Sequence, residues 1–202
     1  MTLVQSDTET KILDAAKKIF IQKGLEGARM QEIADEAKIN KSLLHYYFRS
    51  KERLFSAVFK FAISRFIPKI EKIFDSKMGI SAKIELIVEQ YISLLLKNQF
   101  VPIFILHEIN RHPDRLVELI TSEGIKPKLI ITQIDEEIKK GNLKPISAQN
   151  LILNVISLCI FPFAARPLIQ RLFFENNRKA FNDLMVSRKK EVSEFIIHAI
   201  KA

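Results

Sequence analysis

The sequence predicts an all-α fold, and three observations carry that prediction. Glycine and proline are scarce, at 5 and 7 in 202 residues; long helices tolerate both poorly, whereas all-β folds use them freely in turns. Apolar residues recur at spacings of three and four along much of the chain, the period of a helix with one buried face. Apolar residues make up 48% and charged residues 27%, the balance of a globular chain with a sizeable core, which argues against disorder. At this length a small head and a larger body are expected.

The head comes first. In TETKILDAAKKIFIQKG, Ile12, Ala15, Ala16, Ile19 and Phe20 form one apolar stripe, with Lys17, Lys18 and Gln22 opposite. Asp7 or Thr8 can cap this helix, and Gly24 suits its end because glycine enters the left-handed region without a Cβ penalty. A second helix is expected over about 30–37, where Met30, Ile33, Ala34 and Ala37 follow the i, i+3, i+4, i+7 pattern. Lys38, Ile39 and Asn40 make a three-residue turn, Asn40 is a good N-cap, and KSLLHYYF forms a short third helix. With Leu44, Phe48 and Ile39 inward, Lys41, Ser42, Leu43, His45 and Tyr46 point mainly outward. Ser50 can cap a fourth, linking helix over about 51–67, with Leu54, Phe55, Val58, Phe59 and Ala62 inward; Pro68 should kink or end it.

The remainder reads as helices at 81–98, 101–111, 114–121, 125–140, 147–165 and 179–201, broken at Met78-Gly79, 99–102, His112-Pro113, Gly124, Gly141-Asn142 and Pro145. No strand or internal repeat stands out. The apolar run 151–165 falls short of the roughly 20 residues that span a bilayer and contains Asn154 and Pro162. It reads as a buried or interface helix, so no membrane partner is expected. Cys159 is the only cysteine, which excludes an intrachain disulfide and suggests a buried, reduced thiol. The polar N-terminus lacks the pattern of a signal peptide, so a cytoplasmic protein is expected.

Charge narrows the function. The net charge is +9, which favours an anionic partner without naming it. From 38 to 53, Lys38, Lys41, Arg49, Lys51 and Arg53 stand against Glu52 alone. The basicity is therefore sharpest on a helix-turn-helix, a unit whose second helix enters the major groove of DNA. Lys41 and Ser42 can hydrogen-bond to bases and Leu43 can touch a thymine methyl; Arg29, His45, Tyr46, Tyr47 and Lys51 are candidates for phosphates. One such unit discriminates too little by itself, so a homodimer on a palindromic operator is expected. Enzyme chemistry is not expected. HEINRH, at 107–112, spaces its histidines at i+5 rather than the i+4 that puts two metal ligands on one helix face. No other His, Cys or acidic cluster has metal-ligand spacing, and no nucleophile elbow or phosphate-binding glycine loop is present. No metal or cofactor is therefore expected.

Residues 8–60 resemble the N-terminal domain of the TetR family of bacterial transcriptional regulators (TetR/AcrR-like). The resemblance rests on Ile12, Ala15, Ala16, Phe20 and Gly24, then Ile33, Ala34 and Ala37, then Leu44, Tyr47 and Phe48, then Lys51, Leu54 and Val58. Three positions depart from the family's habit: Lys38 where glycine usually opens the turn, His45 where tyrosine is usual, and Ala28-Arg29 where serine or threonine is usual. The resemblance implies a helix-turn-helix DNA-binding domain over 1–53 and a C-terminal helical ligand-binding and dimerisation domain over 54–202. It implies that the last two helices form the dimer interface, with Phe163, Phe181, Leu184, Met185, Val192, Phe195 and Ile196 as candidates. It also implies a small-molecule effector, apolar or amphipathic, in a body pocket built from Tyr91, Leu95, Phe100, Phe104 and Phe161 with His107, Asn110 and Arg111 as polar groups. Two other readings stay open: the same fold controlled by a protein partner, and a helical lipid-binding or enzymatic module.

Overall fold

The computed structural model describes residues 3–99 and 101–202. Phe100, one of the expected pocket residues, lies outside the described residues. Among these the chain forms twelve helices and no sheet, apart from an isolated bridge between Leu143 and Lys201.

The head is α1 (Leu3–Gly27), α2 (Met30–Glu36) and α3 (Lys41–Tyr47), closed by α4 (Lys51–Ile63). Ile12, Ala16 and Phe20 of α1, Ile33 and Ala34 of α2, Leu44 of α3 and Leu54 of α4 are wholly buried. Burying an Ile, Leu or Phe side chain contributes about 1.5–3 kcal/mol each, and the small alanines let α1 and α2 approach closely. Lys18–Glu36 at 2.7 Å and Lys23–Glu32 at 2.8 Å also join α1 to α2, but exposed pairs like these add little. α1 starts at Leu3, so Asp7 and Thr8 lie inside the helix rather than at its cap, and Asp7 pairs with Lys11 one turn on, at 2.6 Å. Gly24 bends α1 near its end, at φ 67°.

The linking helix is shorter than expected. α4 stops at Ile63, and Pro68 lies in the first turn of α5 (Ile67–Asp75). Proline lacks the N–H that a first turn cannot use and carries a helical φ, so it starts a helix as readily as it ends one. The body continues with α6 (Ile80–Lys97), α7 (Val101–Arg111), α8 (Pro113–Ser122), α9 (Pro127–Lys139), α10 (Ala148–Ala164), α11 (Arg166–Phe174) and α12 (Arg178–Ile200). α11 also begins with a proline, Pro167.

α6 is the axis of the body, with α12 packed along it and α5 and α10 against other faces. Lys83 of α6 is buried, and its Nζ donates to the Phe74 carbonyl at 2.7 Å and to Gln133 Oε1 at 3.0 Å. It thereby serves a carbonyl that the end of α5 leaves free. α12 buries Phe181, Met185, Val192, Ile196 and Ile200 inside the subunit. Phe181 meets Phe163 of α10 edge-on at 6.2 Å. Phe163, Phe181, Met185, Val192 and Ile196 therefore have no free surface for a second chain, because packing on their own subunit uses it. Leu184 and Phe195 do stay exposed, Phe195 at 66%. One hydrophobic core runs from Ile12 to Ile200, and α4 contributes to both ends because it packs on α1 and on α7. Among the described residues no single helix is long and apolar enough to cross a membrane.

Candidate nucleic-acid interface

The turn between α2 and α3 is closed by backbone bonds. Lys38 N–H donates to the Asp35 carbonyl at 3.1 Å and Ile39 N–H to the Ala34 carbonyl at 3.0 Å, the paired bonds of a Schellman ending. That ending needs a left-handed residue, and Lys38 supplies it at φ 56°, at a cost of about 1–2 kcal/mol for a residue with a Cβ. Asn40 then starts α3, its side chain accepting from Leu43 N–H at 2.7 Å. Ser50 starts α4 in the same way, accepting from Arg53 N–H at 3.2 Å.

Lys41, Ser42, His45 and Tyr46 are exposed, while Leu43 and Tyr47 are half-buried. Tyr46 leaves 73% of its surface open, an uncommon state for a large aromatic ring. Tyr47 lies edge-on to Tyr46 at 5.6 Å and stacks along Phe48 at 6.4 Å, so its ring is tied to the head's core while one side faces out. Arg29 is exposed beside the buried Ala28. Lys51 Nζ reaches back to the Glu26 carbonyl at 3.3 Å. Among the described residues no ion pair engages Lys38, Lys41, Arg49 or Arg53. The head thus presents uncompensated cations, an aromatic ring and a hydroxyl around one short helix.

The body holds a cavity of about 350 Å³ among α4, α5, α6, α7, α8, α9, α10 and the α8–α9 connection. Ile63, Ile67, Ile70, Ile84, Ile87 and Ile130 dominate its wall, and the Tyr91 phenol is its one polar side chain. Burial pushes the Tyr91 pKa up, so the phenol stays neutral. Of the expected pocket residues that are described, only Tyr91 lines the cavity. Leu95 and Phe104 are packed solid, with Phe104 stacked on Phe59 at 3.9 Å. Phe161 points outward at 63% exposure. Asn110 and Arg111 are exposed, and His107 sits at the junction with the head. The lining isoleucines each fit the buried stripe of their own helix, and no periodicity shows that their convergence leaves space.

Residues 12–58 match the family model for bacterial regulatory proteins of the tetR family. That stretch, the head with the start of the linking helix, is similar to the tetR family. It is 26% identical over 136 residues to the fatty acid metabolism regulator protein of Bacillus subtilis (strain 168), covering 66% of this chain and 70% of that one. It is 28% identical over 160 residues to the HTH-type transcriptional regulator RutR of Escherichia coli (strain K12), covering 71% and 68%. Among solved structures, the transcriptional regulator FadR from Bacillus subtilis in complex with stearoyl-CoA is similar at a TM-score of 0.70 and 17% identity, over 93% of this chain and 97% of that one. At that identity the likeness speaks for the fold alone. The curated relatives are thus named as regulators, and the solved structure shares the all-helical fold.

Two sets of contacts join body and head. The first is aromatic: Phe59 lines the cavity and stacks on Phe104, Phe104 lies 5.0 Å from Phe55, and Phe55 lies 4.9 Å from Phe20 of α1. The second is polar. Glu108 of α7, only 3% exposed, accepts at Oε1 from His107 Nδ1 at 3.1 Å, and its Oε2 lies 3.9 Å from Arg115. Arg115 also donates to the Ser56 hydroxyl on α4, and Arg111 lies 3.7 Å from Glu26 at the end of α1.

Proposed function

We propose that this protein is a TetR-family regulator that binds double-stranded DNA as a homodimer on a palindromic operator, and that an apolar or amphipathic small molecule releases it, so that it acts as a cytoplasmic repressor. The observation that carries the DNA reading is the set of exposed, unpaired cations around the Asn40-capped α3. Lys41 and Ser42 serve base edges and Leu43 a thymine methyl, while Arg29, His45, Tyr46, Tyr47 and Lys51 serve phosphates. Lys51 exchanges or shares its Glu26 carbonyl in doing so. The head is 1–53 and the body 54–202, with α4 as the lever between them.

Dimerisation is supported by an apolar surface that one chain leaves open. Leu153 and Phe161 of α10, Leu172 and Phe173 of α11, and Leu184 and Phe195 of α12 are all exposed, on helices that pack against one another. Monomeric proteins rarely expose so much. This set replaces the buried α12 residues as the candidate interface.

The effector reading rests on the cavity, whose volume falls within the range of ligand pockets, roughly 300–1,000 Å³. That a relative of the same fold is named in complex with stearoyl-CoA supports an acyl chain as the occupant. Release requires the ligand to bind the DNA-incompetent arrangement more tightly, and the Phe59–Phe104–Phe55–Phe20 contacts offer a packed route for that difference to reach α1. Footprinting on the DNA upstream of its own gene tests the whole reading. Two protected half-sites should appear with centres about one helical turn (34–36 Å), or a multiple of it, apart. Acyl ligands should remove them, with affinity rising about fourfold per methylene, or about 0.8 kcal/mol, until the cavity is full. A single half-site bound by monomer, or indifference to every acyl ligand, would overturn the corresponding half.

A further inference from the structure

A second hollow, of about 360 Å³, lies beside the apolar cavity between α1, the α4–α5 turn and α6, and shares Phe66 and Leu94 with it as walls. Its chemistry is the opposite of its neighbour's. Lys17, Arg65, Lys69 and Lys97 line it, against Asp14 alone. Arg65 lies over the Phe61 ring at 4.9 Å, and Lys69 Nζ donates to Gln90 Oε1 at 3.1 Å. Both partners are neutral, so they orient the cations without cancelling their charge. Among the described residues no ion pair engages Arg65, Lys69 or Lys97. A concavity in which one sign of charge predominates concentrates ligands of the other.

We propose that this groove holds the polyanionic head of an amphipathic ligand whose acyl chain passes between Phe66 and Leu94 into the cavity. The proposal rests on the cavity's being the effector site, and it names the ligand class: a long acyl chain carrying a phosphate-bearing head. A guanidinium matches phosphate geometry with two parallel donors, which fits Arg65, and the lysines add point charges. The position also has a consequence for control. Lys17 belongs to α1, and its Nζ donates to Asn98 Oδ1 at the end of α6, at 3.0 Å. A head group drawing on Lys17 acts on a bond that joins head to body.

Calorimetric titration of the full chain with palmitoyl-CoA, palmitoyl lysophosphatidic acid, palmitate and CoA tests the assignment, on the wild type, on Arg65→Glu/Lys97→Glu and on the cavity-filling Ile87→Trp. At least one phosphate-bearing acyl ligand should bind the wild type roughly tenfold or more tighter than palmitate; the tighter of the two identifies the source of the head group. The double reversal should remove that advantage and leave palmitate unmoved, while Ile87→Trp should weaken every acyl ligand. Arg65→Gln/Lys97→Gln carries the same test if the reversal does not fold. If palmitate matches both phosphate-bearing ligands, or the groove variants change nothing while Ile87→Trp does, the head-group subsite is wrong and the cavity reading stands. If Ile87→Trp is equally silent, or no acyl ligand binds, the cavity reading falls and the subsite falls with it.

Discussion

Lys38 is the residue whose backbone and side chain pull apart most. α9 ends in the same Schellman bonds, with Gly141 N–H on the Ile138 carbonyl and Asn142 N–H on the Glu137 carbonyl. There glycine takes the left-handed position, at φ 76°. At the end of α2 a lysine does, and its exposed cation stands beside α3. Lys38→Gly should raise stability by about 0.5–1 kcal/mol, since relief of the Cβ clash exceeds the added freedom of the unfolded chain. The readout is a higher denaturation midpoint at unchanged m, accompanied by weaker DNA binding if the cation is used there. Cys159 is the opposite case, a residue whose chemistry is silenced. It is 1% exposed, and burial pushes its thiol from 9.0 up to about 12. Thiolate is the reactive form, so at pH 8 labelling by a disulfide reagent should run far slower in the native chain than in the unfolded one, because thiolate is scarcer and the sulfur is buried. Because the folded thiol keeps its proton longer, this contribution to stability is present below pH 9 and is lost as pH rises towards 12.

At the scale of elements, the head was the legible part. Its stripe of Ile12, Ala15, Ala16, Ile19 and Phe20, the turn at 38–40, and the caps Asn40 and Ser50 are local signals, and each is realised in the fold. Asn40→Ala should cost about 1 kcal/mol in thermal melting and loosen α3, since the cap bond to Leu43 N–H fixes where the helix starts. The elements that escaped were α5 and α11: Pro68 reads as a stop where the chain uses it as a start, and Pro167 likewise stands in the first turn of α11. Partnership escaped too. The apolar excess of α12 is explained by burial within the subunit, mostly along α6, a matter of tertiary packing that helical period alone does not reveal. The cavity and the cationic groove were illegible for the same reason: Ile87 and Arg65 are unremarkable on their own helices and acquire meaning only from the neighbours that meet them.

For the whole molecule, one continuous core carries both ends, and α4 with its phenylalanines is the shared piece. That continuity lets a change in the body bear on the head without a separate hinge domain. The +9 charge is spread unevenly, with uncompensated cations around α3 and a cluster of Arg65, Lys69 and Lys97 in the groove beside the cavity. Such a field speeds encounter with DNA and makes binding depend on salt. The most direct test of DNA recognition by α3 is the affinity of the chain for its footprinted site, measured by fluorescence anisotropy across a salt series for the wild type and Lys41→Glu/Lys51→Glu. Recognition through α3 requires the double variant to lose roughly a hundredfold or more in affinity, with the slope of log K against log salt shallower by about 0.9 for each phosphate contact removed. Unchanged affinity and an unchanged slope would contradict it.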